Sequence, residues 1–133
     1  MKGENLMLLV VDDNKDIRDL ISHILTLNGF EVREASEGQM ALEIIAQSRP
    51  DLVLLDVMMP GLSGYEVVAQ VRSSPEVEIS SIPILMITAR SQNSDIESAL
   101  NSGANDYLIK PFRPAELLAK VNQVLELRTK DPV

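Results

Sequence analysis

The sequence predicts a three-layer α/β sandwich built on a five-stranded parallel sheet. Three observations lead there. Short apolar runs without polar alternation recur along the chain, as in strands buried on both faces. Between them lie stretches whose apolar residues repeat at helical spacing. The two alternate five times, and parallel strands joined by helical crossovers are the arrangement that such alternation permits.

The first strand is Leu6–Val11, which runs into Asp12, Asp13 and Asn14. Asp16–Asn28 follows as an amphipathic helix, with Ile17, Leu20, Ile21, Ile24 and Leu25 on one stripe and Asn28-Gly29 as its stop. Phe30–Ala35 is the second strand. Ser36 with Gln39 reads as a capping box for a helix through Ser48, burying Ala41, Ile44 and Ile45 and closed by Pro50. The central strand is Leu52–Asp56, four apolar residues ended by a carboxylate, after which Pro60 and Gly61 break the chain into a loop.

Ser63 with Glu66 is a further capping box, and the helix it opens buries Val67, Val68 and Val71. Ser73–Pro83 is a polar connection with a turn of helix. Ile84–Ile87 forms the fourth strand and ends at Thr88. Ser94 with Glu97 caps a short helix carrying Ile96, Ala99 and Leu100, stopped near Gly103. Tyr107–Ile109 is the fifth strand, ending at Lys110-Pro111. Pro114 suits the first turn of the last helix, with Leu117, Leu118, Val121, Val124 and Leu125 inward.

Right-handed crossovers leave few topologies for five such units, and the flavodoxin-like strand order 2-1-3-4-5 is the expected one. A chain of 133 residues makes one domain, expected over residues 1–128, with 129–133 a short tail and no output domain after it. With 45% hydrophobic and 24% charged residues the composition is that of a globular protein, and the absence of cysteine excludes thiol chemistry. No apolar run is long enough to span a membrane and no signal-peptide pattern follows Met1, so a cytoplasmic location is expected. Net charge is −8, from 20 acidic and 12 basic residues, which opposes direct binding of nucleic acid or anionic lipid.

Parallel strands deliver their last residues to one rim, where open α/β sheets bind ligands. Strand one brings Asp12 and Asp13, strand three Asp56, strand four Thr88 and strand five Lys110. Each alone has an ordinary explanation, as a helix cap, a strand end or a solvated amine. Together they are three carboxylates, a hydroxyl and an ammonium on one edge, and Ala35 at the end of strand two carries nothing of the kind. Clustered carboxylates need a hard cation between them, and Mg2+ with its oxygen ligands suits two or three Asp and a phosphate. The cation neutralises an incoming phosphoryl group beside Asp56, while Lys110 and Thr88 hold the remaining phosphoryl oxygens. That is nucleophilic carboxylate chemistry giving an aspartyl phosphate.

At these residues the sequence resembles the receiver domain of two-component response regulators. The motifs are Val10-Val11-Asp12-Asp13-Asn14, Leu54 through Gly61 with Gly64, Ile87-Thr88-Ala89, and Gly103 through Phe112. They cover essentially the whole chain in order. The resemblance implies Asp56 as phosphoacceptor. It implies Mg2+ ligation by Asp13, Asp56 and the Met58 backbone carbonyl, with Asp12 acting through a water. Lys110 would pair with the phosphoryl group before a cis peptide at Pro111, Thr88 would be the switch hydroxyl, and Tyr107 the aromatic that turns inward with it. The donor would be a sensor histidine kinase or a phosphotransfer protein, and hydrolysis in the same site would reset the switch without the domain being an enzyme toward other substrates. A downstream effector or a second copy would bind the face formed by the fourth amphipathic helix, the fifth strand and the last helix, about Ser94 to Leu125.

Other residues take plainer readings. His23, the one histidine, lies beside the apolar stripe of the first helix and is expected to be structural. Met58-Met59 belong to the loop after Asp56, and Met58 and Arg90 flank the expected mouth of the site. Arg113 is an unusual residue to precede a helix at Pro114. Two other classes fail at named positions. A haloacid-dehalogenase-type phosphatase wants a second Asp two residues after the nucleophile, where this chain has Met58. A flavodoxin-type cofactor binder wants a Ser/Thr/Gly-rich phosphate loop where this chain has Asp12-Asp13. The remaining alternative is a pseudo-receiver, an interaction module that works without phosphorylation.

Overall fold

The computed structural model of the chain describes residues 6–89 and 92–129. Its five strands are β1 (Met7–Val11), β2 (Glu31–Ala35), β3 (Leu52–Asp56), β4 (Ile84–Thr88) and β5 (Asp106–Ile109). Six helices connect and follow them: α1 (Lys15–Leu27), α2 (Gly38–Ser48), α3 (Gly64–Arg72), a single turn α4 (Val77–Ser80), α5 (Asn93–Asn101) and α6 (Pro114–Thr129). The strands form one sheet in the order β2-β1-β3-β4-β5, every neighbouring pair parallel. This is the flavodoxin-like order that the alternation predicted.

Alternate side chains of the sheet feed two cores, which makes the third layer. Leu9, Val11, Val53, Leu55, Ile84 and Met86 meet Ala41, Val67, Val68 and Ala99 from α2, α3 and α5. Leu8, Val10, Leu52, Leu54, Leu85 and Ile87 meet Ile21, Leu25, Leu117 and Val121 from α1 and α6. Both faces of β1, β3 and β4 are therefore dry, which is why their sequences show no polar alternation. At the outer edge, β2 places Glu31, Arg33 and Glu34 in solvent.

Helix boundaries follow local capping where the sequence supplies a cap. The Asn14 side chain accepts the backbone N–H groups of Asp16 and Ile17 at the start of α1. The Ser63–Glu66 box forms in full. At α6 the Glu116 carboxylate reaches back to the Arg113 N–H at 2.7 Å, so half a capping box stands in for the missing cap side chain.

Two predicted boxes do not form. Glu37 and not Ser36 precedes α2, and Gln92 and not Ser94 precedes α5, each without a side-chain cap bond. Packing decides the first case. A Cβ on Gly38 would lie 2.8 Å from Leu62 Cβ, so this glycine sits where the start of α2 touches the loop before α3. The strand ends also move by a residue, with Leu6 and Phe30 outside β1 and β2 but packed on the core. Leu20 and Leu100, predicted to face inward, are 47% and 42% exposed.

A second anchor lies at the rim where the strands begin. Arg72, at the end of α3, donates to the carbonyls of Gly103, Ser80 and Ile82 and to the Asn105 side-chain oxygen, at 2.7–3.0 Å. Asn105 in turn exchanges bonds with the Ile84 backbone. One guanidinium thus ties together α3 and the segments that lead into β4 and β5.

Candidate functional site

Asp12, the first residue after β1, and Asp56, the last of β3, are 1% and 6% exposed, while Asp13, one residue further out, is exposed. Burial of two like-charged groups demands compensation. Lys110, whose side chain is 18% exposed, supplies part of it, its Nζ lying 2.9 Å from Asp12 Oδ2 and 3.4 Å from Asp56 Oδ2. The remaining oxygens take backbone donors. Asp12 Oδ1 accepts the Asn14 N–H at 2.9 Å, and Asp56 Oδ1 accepts the Met58 N–H at 3.2 Å.

Carboxylate oxygens of Asp12, Asp13 and Asp56 lie within 4.8 Å of one another. Three acidic groups against one ammonium leave an excess of two negative charges. An all-oxygen set with that excess fits a hard divalent cation. The electrostatics agree. Burial pushes the Asp56 carboxyl above its ordinary range and Asp12 adds to the push, against the opposing pull of Lys110 and the Met58 N–H. Burial would lower the Lys110 ammonium, but its bond to Asp12 and the charges of Asp56 and Asp12 outweigh that and raise it.

The loops bring these groups to one rim for local reasons. The sheet register sets Asp56 against Ile87, so Thr88 follows one residue along on the neighbouring strand, 4% exposed. The Lys110 N–H donates to the Thr88 carbonyl at 2.8 Å and the Lys110-Pro111 peptide is cis, as the resemblance implied. Gly64 lets α3 start directly against β3, because a Cβ there would come 2.4 Å from the Asp56 carbonyl oxygen. Tyr107 sits half-buried on the edge strand, packed beside the α2/α3/α5 core, with Lys120 Nζ 5.2 Å from its ring centroid.

The model of the response regulator receiver domain family matches residues 8–122. This chain belongs to that family. The receiver is 45% identical over 124 residues to response regulator MprA of Mycolicibacterium vanbaalenii, covering 93% of this chain and 52% of that protein, so it spans about half the length of the curated relative. Among solved structures it is similar to a putative response regulator from Chloroflexus aurantiacus, with TM-score 0.87 and 38% identity over 92% of this chain and 99% of that one. It is also similar to the BeF3-activated N-terminal receiver domain of Klebsiella pneumoniae RstA, with TM-score 0.80 and 32% identity over 90% and 97% of the two chains. The receiver therefore belongs to two-component signalling.

All five rim residues named from the sequence, Asp12, Asp13, Asp56, Thr88 and Lys110, lie at strand ends on one side of the sheet. His23 is exposed on α1, away from the carboxylates, and Met58 is exposed beyond Asp56. Arg90 lies outside the described residues. The sequence reading missed Arg18 of α1, which reaches back to the β1–α1 turn. Helical side chains lean toward the N-terminus, so an arginine in the first turn after Asp12-Asp13 was a usable signal.

Proposed function

We propose that this domain is a phosphorylation-controlled switch whose phosphoacceptor is Asp56. One observation carries the reading: Asp56 is buried beside two further carboxylates with Lys110 bridging it to Asp12. An Asp56 oxygen attacks the phosphorus of a phosphohistidine on a sensor kinase or phosphotransfer protein, the P–N bond breaks, and the imidazole leaves with a proton. Asp13, Asp56 and the Met58 carbonyl would hold Mg2+, with Asp12 acting through a water. Bound there, Mg2+ supplies the charge neutralisation that lets one anion approach another. Lys110 moves from its carboxylate partners to a phosphoryl oxygen, and Thr88 offers its hydroxyl to another.

Phosphorylation then draws Thr88 toward the phosphate and Tyr107 inward, changing the face from about Ser94 to Leu125, where an effector or a second copy binds. The phosphate shifts this equilibrium only by its differential interaction with the two states. Water resets the site, so the domain turns over no substrate but its own phosphoryl group. The unit runs to about residue 128 and works in the cytoplasm, and its charge of −8 keeps it off nucleic acid.

The test is intact mass after incubation with acetyl phosphate and Mg2+. One phosphoryl adduct that requires Mg2+ and vanishes in Asp56→Asn is the expected result. No adduct, where a known receiver labels, would overturn the reading in favour of a phosphorylation-independent interaction module.

A further inference from the structure

We infer that Arg18 is a positioning residue for the cation site, acting through the peptide that joins Asp12 to Asp13. This inference rests on the Mg2+ role proposed above. The Arg18 side chain is 15% exposed although it ligates nothing in the acidic cluster. One guanidinium N–H donates to the backbone carbonyl of Asp12 at 2.8 Å, and Nε donates to Glu34 Oε1 of β2 at 3.0 Å. The Asp12 N–H meanwhile donates to the Ala35 carbonyl at 3.2 Å. Arg18 thus closes a brace between the end of β1, the edge strand β2 and the first turn of α1.

Asp12 and Asp13 depend on that brace differently. Asp12 is fixed four ways: by its N–H, its carbonyl, the Asn14 N–H on one carboxylate oxygen and Lys110 on the other. The Asp13 carboxylate is exposed and has no hydrogen-bond partner among the described residues. Its place near Asp12 and Asp56 is set by its own backbone, and the oxygen of the peptide leading into it is the one Arg18 holds. Groups that orient a ligand in this way commonly govern metal affinity about 10- to 100-fold.

The direction of the effect separates this role from a simple charge effect. As a positive charge near an acidic cluster, Arg18 repels a cation, so deleting it would tighten binding. As a brace it holds Asp13 in register, so deleting it would weaken binding. The experiment is direct titration of Mg2+ by calorimetry, without any phosphodonor, on the wild type, Arg18→Met and Arg18→Lys, each checked for folding by circular dichroism. The dissociation constant is expected to rise about 10-fold in Arg18→Met. Arg18→Lys, which keeps the charge but not the planar fork, is expected to fall between the two. An unchanged or lower constant in folded Arg18→Met would overturn the inference. Should that variant fail to fold, wild-type affinity in Arg18→Lys would do the same. A folded wild type that binds no Mg2+ would instead sink the proposed function itself.

Discussion

Replacing Asp56 by Asn should make the metal-free domain more stable, even though it removes the group around which the site is built. Asparagine keeps the shape and the acceptor for the Met58 N–H, removes the charge, and sets an amide NH2 in place of Oδ2, so Lys110 loses this acceptor and keeps Asp12. Oxygens of Asp56 and Asp12 lie within 4.8 Å, and unit charges at that separation repel by about 3.5 kcal/mol at an effective dielectric constant near 20. Lys110 at 3.4 Å returns about 5 kcal/mol of attraction on the same scale. Those two terms alone favour the carboxylate slightly. Burial decides the sign, because withdrawing a carboxylate from water costs several kcal/mol and Asp56 is only 6% exposed. The balance favours Asn by about 2 kcal/mol, or about 6–10 °C in melting temperature for a domain of this size.

The assay is thermal unfolding at pH 7 in EDTA, repeated with Mg2+. At a free Mg2+ concentration of 100 times Kd the wild type gains about 2.7 kcal/mol, whereas the variant lacks one of the proposed ligands and should gain less, so the gap should close or invert. Acid supplies a second check. The folded Asp56 carboxyl titrates above its ordinary value, so its ionisation costs stability that is fully retained below the unfolded pKa. The advantage of Asn should therefore be absent below about pH 4 and open as pH rises through the raised folded value. A variant that melts below the wild type in EDTA at pH 7 would refute the reasoning.

Three further outcomes are expected. Gly64→Ala forces a methyl to within 2.4 Å of the Asp56 carbonyl oxygen, so α3 must move off β3. The cost should be about 3 kcal/mol or more in urea unfolding, with weaker Mg2+ binding, and wild-type stability would show that the close approach is not needed. Thr88→Ala should keep Asp56 labelling but blunt the change in hydrogen exchange over Ser94–Leu125 on beryllofluoride addition, and an undiminished change would sink the coupling. Arg72→Met takes the guanidinium from three backbone carbonyls at the opposite rim, while Asn105 keeps the Ile84 N–H, and should cost about 3 kcal/mol in melting, yet leave the rate of Asp56 labelling in the folded protein unaltered.

Much of this architecture is written locally. Leu52–Leu55 and Ile84–Ile87 are apolar throughout because helices cover both faces of the sheet, and such runs are legible without tertiary knowledge. Once the strands are taken as parallel, their C-terminal residues must share a rim, so Asp12, Asp56, Thr88 and Lys110 were found together. Contacts set by distant packing were not legible. Ser36-x-x-Gln39 and Ser94-x-x-Glu97 match a capping pattern that Ser63-x-x-Glu66 fulfils, yet the chain turns elsewhere at the first two. Leu20 and Leu100 keep the helical period but fall at the margin of the buried stripe. Arg72 looks like a surface cation in the sequence, because the carbonyls that claim it come from other segments.

Lys110 has a consequence for how the protein comes into being. Its partners Asp12 and Asp56 precede it by 98 and 54 residues. During synthesis both carboxylates are complete while the ammonium that offsets them is still to be added. The site closes only when β5 joins the sheet beside β4, so a truncated chain, or one whose last strand has peeled away, holds acidic groups without the cation they were placed around. Compensation of the two buried carboxylates is therefore tied to the arrival of β5, and a partly made chain carries them without it.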